Sequence, residues 1–70
     1  MSFKVKMRDI PENSIIQIQH HYDDRMEEYL VIGKERGFLV MISREDNSKR
    51  YTRLSSIKKM KIKDKIFTNF

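Results

Sequence analysis

The sequence predicts one all-β domain, a small barrel of five or six short strands. Three observations predict it. Apolar and polar residues alternate with period two through several segments, the signature of half-buried strands. Turn chemistry recurs at intervals of about ten residues, the spacing of short strands in a sandwich or barrel. The chain has 70 residues, too few for a typical two-sheet sandwich of about 100. A strongly bent sheet closing on itself fits that length and removes exposed edges.

The elements follow in order. Phe3, Val5 and Met7 alternate with Lys4 and Lys6, which predicts a first strand. Pro11 holds its neighbour extended and Asn13 suits a turn. Ser14 to Tyr22 reads as a strand with Ile16 and Ile18 inward and Gln17, Gln19 and His21 outward. Asp23-Asp24-Arg25 is a loop. Tyr29 to Ile32 is a nearly continuous apolar run, expected of a strand covered on both faces. Gly33 and Gly37 bracket three charged residues and predict a hairpin loop. Phe38 to Ile42 is the next strand, and Arg44 to Lys49 a turn. Arg50 to Leu54 is a short strand that ends at Ser55-Ser56. Ile57 to Ile62 is the closing strand, with Met60 and Ile62 inward and Lys59, Lys61 and Lys63 outward. A helix from Asp24 to Ile32 is the losing alternative, because Tyr29-Leu30-Val31-Ile32 would put apolar groups all round it. The barrel domain is thus expected over residues 1–63, with 64–70 as a C-terminal tail.

A core of this size buries only about 60% of the surface the unfolded chain exposes. The chain has no cysteine, which excludes a disulfide framework and Cys-based zinc sites. That composition is compatible with a reducing cytoplasm, the expected location. No apolar run approaches the roughly 18 residues of a membrane span, and Met1 to Lys6 has no apolar stretch of signal-peptide length. The formal net charge is +5, and it is unevenly placed. Residues 1–35 hold 5 basic and 7 acidic groups, whereas residues 36–70 hold 10 basic and 3 acidic. The positive second half points to an acidic partner for one face.

The order of features from Pro11 to Ile62 resembles the SH3-like barrels, the group that includes KOW, Tudor and Sm-like domains. The turn Pro11-Glu12-Asn13-Ser14 precedes the first core strand, two central strands share a glycine-bounded loop, and Ser55-Ser56-Ile57 stands where such barrels often place one 3₁₀ turn. The similarity is one of layout over about three-quarters of the chain. No KOW glycine pattern, aromatic cage or Sm-type RNA-binding motif stands at matching positions. The resemblance implies a fold and transfers no functional residue.

Four constellations remain. Arg50, Tyr51, Arg53, Lys59, Lys61 and Lys63 combine cations with one aromatic ring, as a nucleic-acid face or an acidic protein partner requires; their bland reading is a solvated, edge-blunting surface. Asp23, Asp24, Glu27 and Glu28 form an acidic patch suited to a basic partner. Phe67 and Phe70 either cover an open barrel end or pack on another subunit. His20-His21 beside Asp23 does not make a metal site, because adjacent strand residues point to opposite faces. No nucleophile, carboxylate pair or phosphate loop has catalytic spacing, so no cofactor and no enzymatic activity are expected. The expected function is a non-catalytic protein-interaction module, an adaptor or inhibitor of the sort viruses and mobile elements encode. The alternative is a basic RNA- or DNA-binding barrel with little sequence preference. A homodimer through edge strands or the tail is compatible with either.

Overall fold

The computed structural model describes residues 6–68, and the expected strand positions Phe3 and Val5, with Phe70, lie outside them. Six strands form one antiparallel sheet: β1 (Ile15–His20), β2 (Glu27–Glu35), β3 (Phe38–Ser43), β4 (Lys49–Arg53), β5 (Ile57–Ile62) and β6 (Lys65–Thr68), with 3₁₀ turns at Met7–Asp9 and Leu54–Ser56. Their order across the sheet is β4-β3-β2-β1-β5-β6. The chain therefore makes a four-strand meander. The second 3₁₀ turn then carries it from β4 to the far side of β1, where β5 pairs and β6 folds back on it.

Period two decides which side of each strand is wet. In β1, Ile16, Ile18 and His20 are buried, while Ile15 is exposed and Gln17 and Gln19 half-buried. The ladders carry that parity sideways: Ile18 lies opposite Met60 of β5, Ile16 opposite Tyr29 of β2, and Val31 opposite Met41 of β3. Leu39 and Met41 thus share one core cluster with Ile57, Met60 and Ile62, although β2 and β1 separate their strands. The sheet must curve for that to happen. Ile10, Met7, Leu54 and Phe67 close the ends of the cluster, so both 3₁₀ turns and β6 act as plugs.

The curved sheet is not closed, since β4 and β6 are its two ends and each has one neighbour. Closure was expected from length, but no ladder joins these strands among the described residues. Met7, expected in a strand, opens a 3₁₀ turn instead. The Asp9 carboxylate accepts a 3.0 Å hydrogen bond from the Lys6 amide and tightens the chain there. Lys65–Thr68, expected as tail, is the edge strand β6, paired with β5 through Lys59 to Ile62. The expected last strand is therefore the fifth of six.

The β2–β3 connection is also shorter than the two glycines imply. Glu35 pairs with Phe38, leaving Arg36-Gly37 as a two-residue loop with φ of 50° and 81°. Two successive positive φ values define the turn whose twist matches antiparallel strands. Gly33 lies within β2 beside a register shift between Val31 and Gly33, and a Cβ there would meet nothing within 4 Å. The two glycines should respond oppositely to substitution. Gly37→Val is expected to cost about 1–2 kcal/mol, since a left-handed conformation strains a branched residue. Gly33→Ala should be neutral or stabilising by about 0.5 kcal/mol. Urea midpoints of both variants check this.

Candidate interaction face

The side of the sheet turned away from the core is not polar throughout. Register places Ile15, Leu30, Ile42 and Lys49 in one row across β1 to β4. Gly33, Val40 and Tyr51 form a second row, and Glu35, Phe38 and Arg53 a third. Ile15 keeps 48% of its surface in water, Ile32 38% and Tyr51 52%. Leu30, Phe38 and Ile42 are half-buried and stand outside the core cluster. Val40 between them is buried, at 5%, and four strands thus present an apolar strip on the outer face.

The apolar runs of β2 and β3 make this strip. Tyr29 and Val31 point to the core while Leu30 and Ile32 point outward, so the run is apolar on both faces. It was expected to be covered on both; on the outer side Leu30 is half-buried and Ile32 is 38% exposed.

The expected basic face divides. Lys49, Tyr51 and Arg53 share the outer side of β4. The Lys49 ammonium sits 5.3 Å from the centre of the Tyr51 ring, and the Arg53 guanidinium 4.9 Å from that of Phe38, both within the range of cation–π attraction. The Tyr51 hydroxyl beside it raises the pKa of Lys49. Arg50 has the opposite parity. Its Nε donates to the Ser48 hydroxyl at 2.9 Å, and its guanidinium lies 3.6 Å from Asp46. Hydrogen bonds from the Ser48 hydroxyl and amide draw the Asp46 pKa down to about 2. Lys59 and Lys61 lie on the outer side of β5, opposite Gln19 and Gln17, and Lys63 is in the turn after it, at φ 57°. Between the two cationic groups stand β3, β2 and β1. Sequence neighbours β4 and β5 are four places apart in the sheet, so the tyrosine–arginine pair flanks the apolar strip on one side and the lysines flank it on the other.

The acidic patch is divided too. Glu27 and Glu28 point to opposite faces of β2. Glu27 accepts a 2.6 Å hydrogen bond from the Tyr29 hydroxyl and lies 3.8 Å from Arg25. Glu28 lies 3.6 Å from Arg44. Asp23 accepts the Arg25 amide at 3.0 Å, the bond that does most to lower its pKa, and Asp24 is exposed in the same loop. Arg25 and Arg44, which the sequence places in a loop and a turn without a role, thus neutralise part of this region.

At that end of the sheet His20 is buried and stacks at 5.0 Å on Tyr22, a residue 80% exposed. His21 is exposed, as opposite strand faces require. Phe67 packs against the core. A separate cleft of about 610 Å³ lies between the first 3₁₀ turn and the β5–β6 turn, lined by Asp9, Pro11, Ile62, Lys63, Asp64, Lys65 and Phe67.

Burial first, and then its bond to the Glu27 carboxylate, raises the Tyr29 pKa well above its ordinary 10.0. The neutral phenol is therefore the form the fold favours. Its contribution to stability is complete below about pH 10 and is lost as pH climbs from there through the folded value. Tyr29→Phe should cost about 1 kcal/mol at neutral pH and should weaken the loss of stability above about pH 10. Urea denaturation of both proteins across that range is the check.

Comparison with protein-family models, with curated proteins and with solved structures returns no match.

Proposed function

We propose that this chain is a non-catalytic protein-interaction module, a small adaptor or inhibitor that presents the outer face of β1–β4 to another protein. One observation carries the reading: an apolar strip on the solvent side of the sheet, with Ile15, Ile32 and Tyr51 all more than a third exposed. Scattered surface apolar residues need no explanation, but a contiguous strip rimmed by polar groups marks an interaction site. The meander, the 3₁₀ turn and the return of β5 beside β1 support reading the curved sheet as an open barrel of SH3-like layout.

Nucleic-acid binding is the weaker reading. Bases need bare aromatic faces, and here the cations of Arg53 and Lys49 already engage the Phe38 and Tyr51 rings. The lysines of β5 stand across the sheet from both rings. Pull-down from nuclease-treated lysate tests the choice, alongside titration with single- and double-stranded oligonucleotides at 50 and 200 mM salt. A stoichiometric protein retained by wild type and lost with Ile32→Asp supports the interaction module. Oligonucleotide affinity that falls steeply with salt, with no retained protein, overturns it.

A further inference from the structure

Cations stand on both borders of the apolar strip, and they select its occupant. We infer that the strip receives an acidic segment of another protein, a short stretch of chain carrying large apolar side chains among carboxylates. This rests on the interaction reading above and adds the chemistry of the partner.

Charge complementarity is the first argument. Lys49 and Arg53 border the strip along β4, and Lys61 borders it on β5, with Lys63 just beyond. Of the two carboxylates on the outer side of β2, Glu28 is paired with Arg44 at 3.6 Å, and Glu35 lies in the row of Arg53. A shallow depression of about 150 Å³ adjoins the strip, lined by Ile15, Gln17, Glu28, Lys61 and Lys63. It sets an apolar side chain beside two ammonium groups and the Glu28 carboxylate, which Arg44 engages at 3.6 Å. An apolar side chain entering there, with a carboxylate beside it, would meet Ile15 and the two ammonium groups.

Area and self-repulsion are the second argument, and they decide against a second copy of this chain. Three exposed and three half-buried side chains make an apolar patch on the order of a few hundred Å². A standard stable interface buries about 800 Å² per partner. Face-to-face packing of two copies about a two-fold axis along or across the strands would also bring cationic rims together, in a chain whose net charge is +5. Like charges placed across an interface oppose association. A segment smaller than a domain and opposite in sign meets neither obstacle.

The test uses the full chain and a displayed library of random twelve-residue peptides. Enriched peptides should be net acidic and contain two or more of Leu, Ile, Phe, Trp or Met. Their affinity should fall at least tenfold with Ile32→Asp, with Tyr51→Ser, and with the rim reversal Lys49→Glu combined with Arg53→Glu. It should also weaken with added salt. Urea midpoints of the three variants establish that they fold, and the rim variant alters only exposed side chains. Enriched peptides that are basic or uncharged overturn the inference and leave the interaction reading standing; affinity unmoved by all three variants overturns the inference and also the assignment of this face beneath it. A dimer in sedimentation equilibrium that Ile32→Asp dissolves assigns the face to a second copy and overturns it as well. A library that yields no binder, together with salt-sensitive oligonucleotide binding lost in Lys59→Ala with Lys61→Ala, removes both the inference and the reading beneath it.

Discussion

Ile18→Ala is expected to destabilise the protein by about 3–5 kcal/mol, the upper part of the range for removing a buried aliphatic side chain. Ile18 is fully buried in β1, the strand that pairs with both β2 and β5. It lies opposite Glu27 on one side and Met60 on the other. Strands hydrogen-bonded on both edges cannot easily shift to fill the space a lost side chain leaves. A domain of this length has roughly 4–10 kcal/mol of stability in all, so the variant should be close to unfolding at 25 °C. Ile15→Ala, on the same strand with the opposite parity, removes the same atoms from a site 48% exposed and should cost less than about 1 kcal/mol. Urea denaturation of the pair is a direct test of side-chain direction. Equal costs would mean that the strand does not present Ile18 to the core.

Phe67→Ala is expected to cost about 2 kcal/mol, which separates an edge strand from a loose tail. Phe67 lies opposite Met60 in the β5–β6 ladder and packs on the core cluster, so truncation uncovers one end of that cluster. A frayed terminus would lose less than about 0.5 kcal/mol, as exposed positions do. Urea midpoints decide between them. Amide exchange gives an independent readout. If β6 covers the core, Phe67→Ala should accelerate exchange in β5 as well as in β6.

Phe67 shows how far local pattern reaches. It was recognisable as a candidate to cover an open end of the sheet, but β6 is four residues long, too short for alternation to stand out, and its pairing depends on a turn at Lys63-Asp64. The glycine pair is similar. Gly33 and Gly37 both mark the β2–β3 region, yet only Gly37 has positive φ. Composition does not distinguish a glycine in a turn from one beside a register shift. Ile10 is fully buried because the first 3₁₀ turn folds it over the core, and no periodic pattern surrounds it to announce that. Arg44 became relevant through Glu28, and Arg25 in part through Glu45, carboxylates distant in sequence.

The candidate face was half legible for the same reason. Parity along β4 put Tyr51 and Arg53 on one side and parity along β5 put Lys59 and Lys61 on another, and the register agrees within each strand. What joins them is not local. The Ser56 hydroxyl donates to the Arg53 carbonyl at 2.8 Å, and the His21 amide donates to the Ser56 carbonyl at 3.2 Å. Those bonds hold the 3₁₀ turn as it crosses to the far side of β1. Consecutive strands are thereby parted by three others, and cations next to one another in sequence become opposite banks of an apolar strip.

From its own residues the chain determined that it would be built of short antiparallel strands, where most of them would run, and which side chains of each would turn inward. These are local consequences of a two-residue repeat and of turn chemistry. Only the tertiary structure decided that β5 returns to β1, that the sheet stays open, and that outward-pointing Leu30, Ile32, Phe38 and Ile42 keep part of their surface in water. A strand carries an identical row of amide and carbonyl groups along either edge, so its neighbours are chosen by burial summed over the whole sheet.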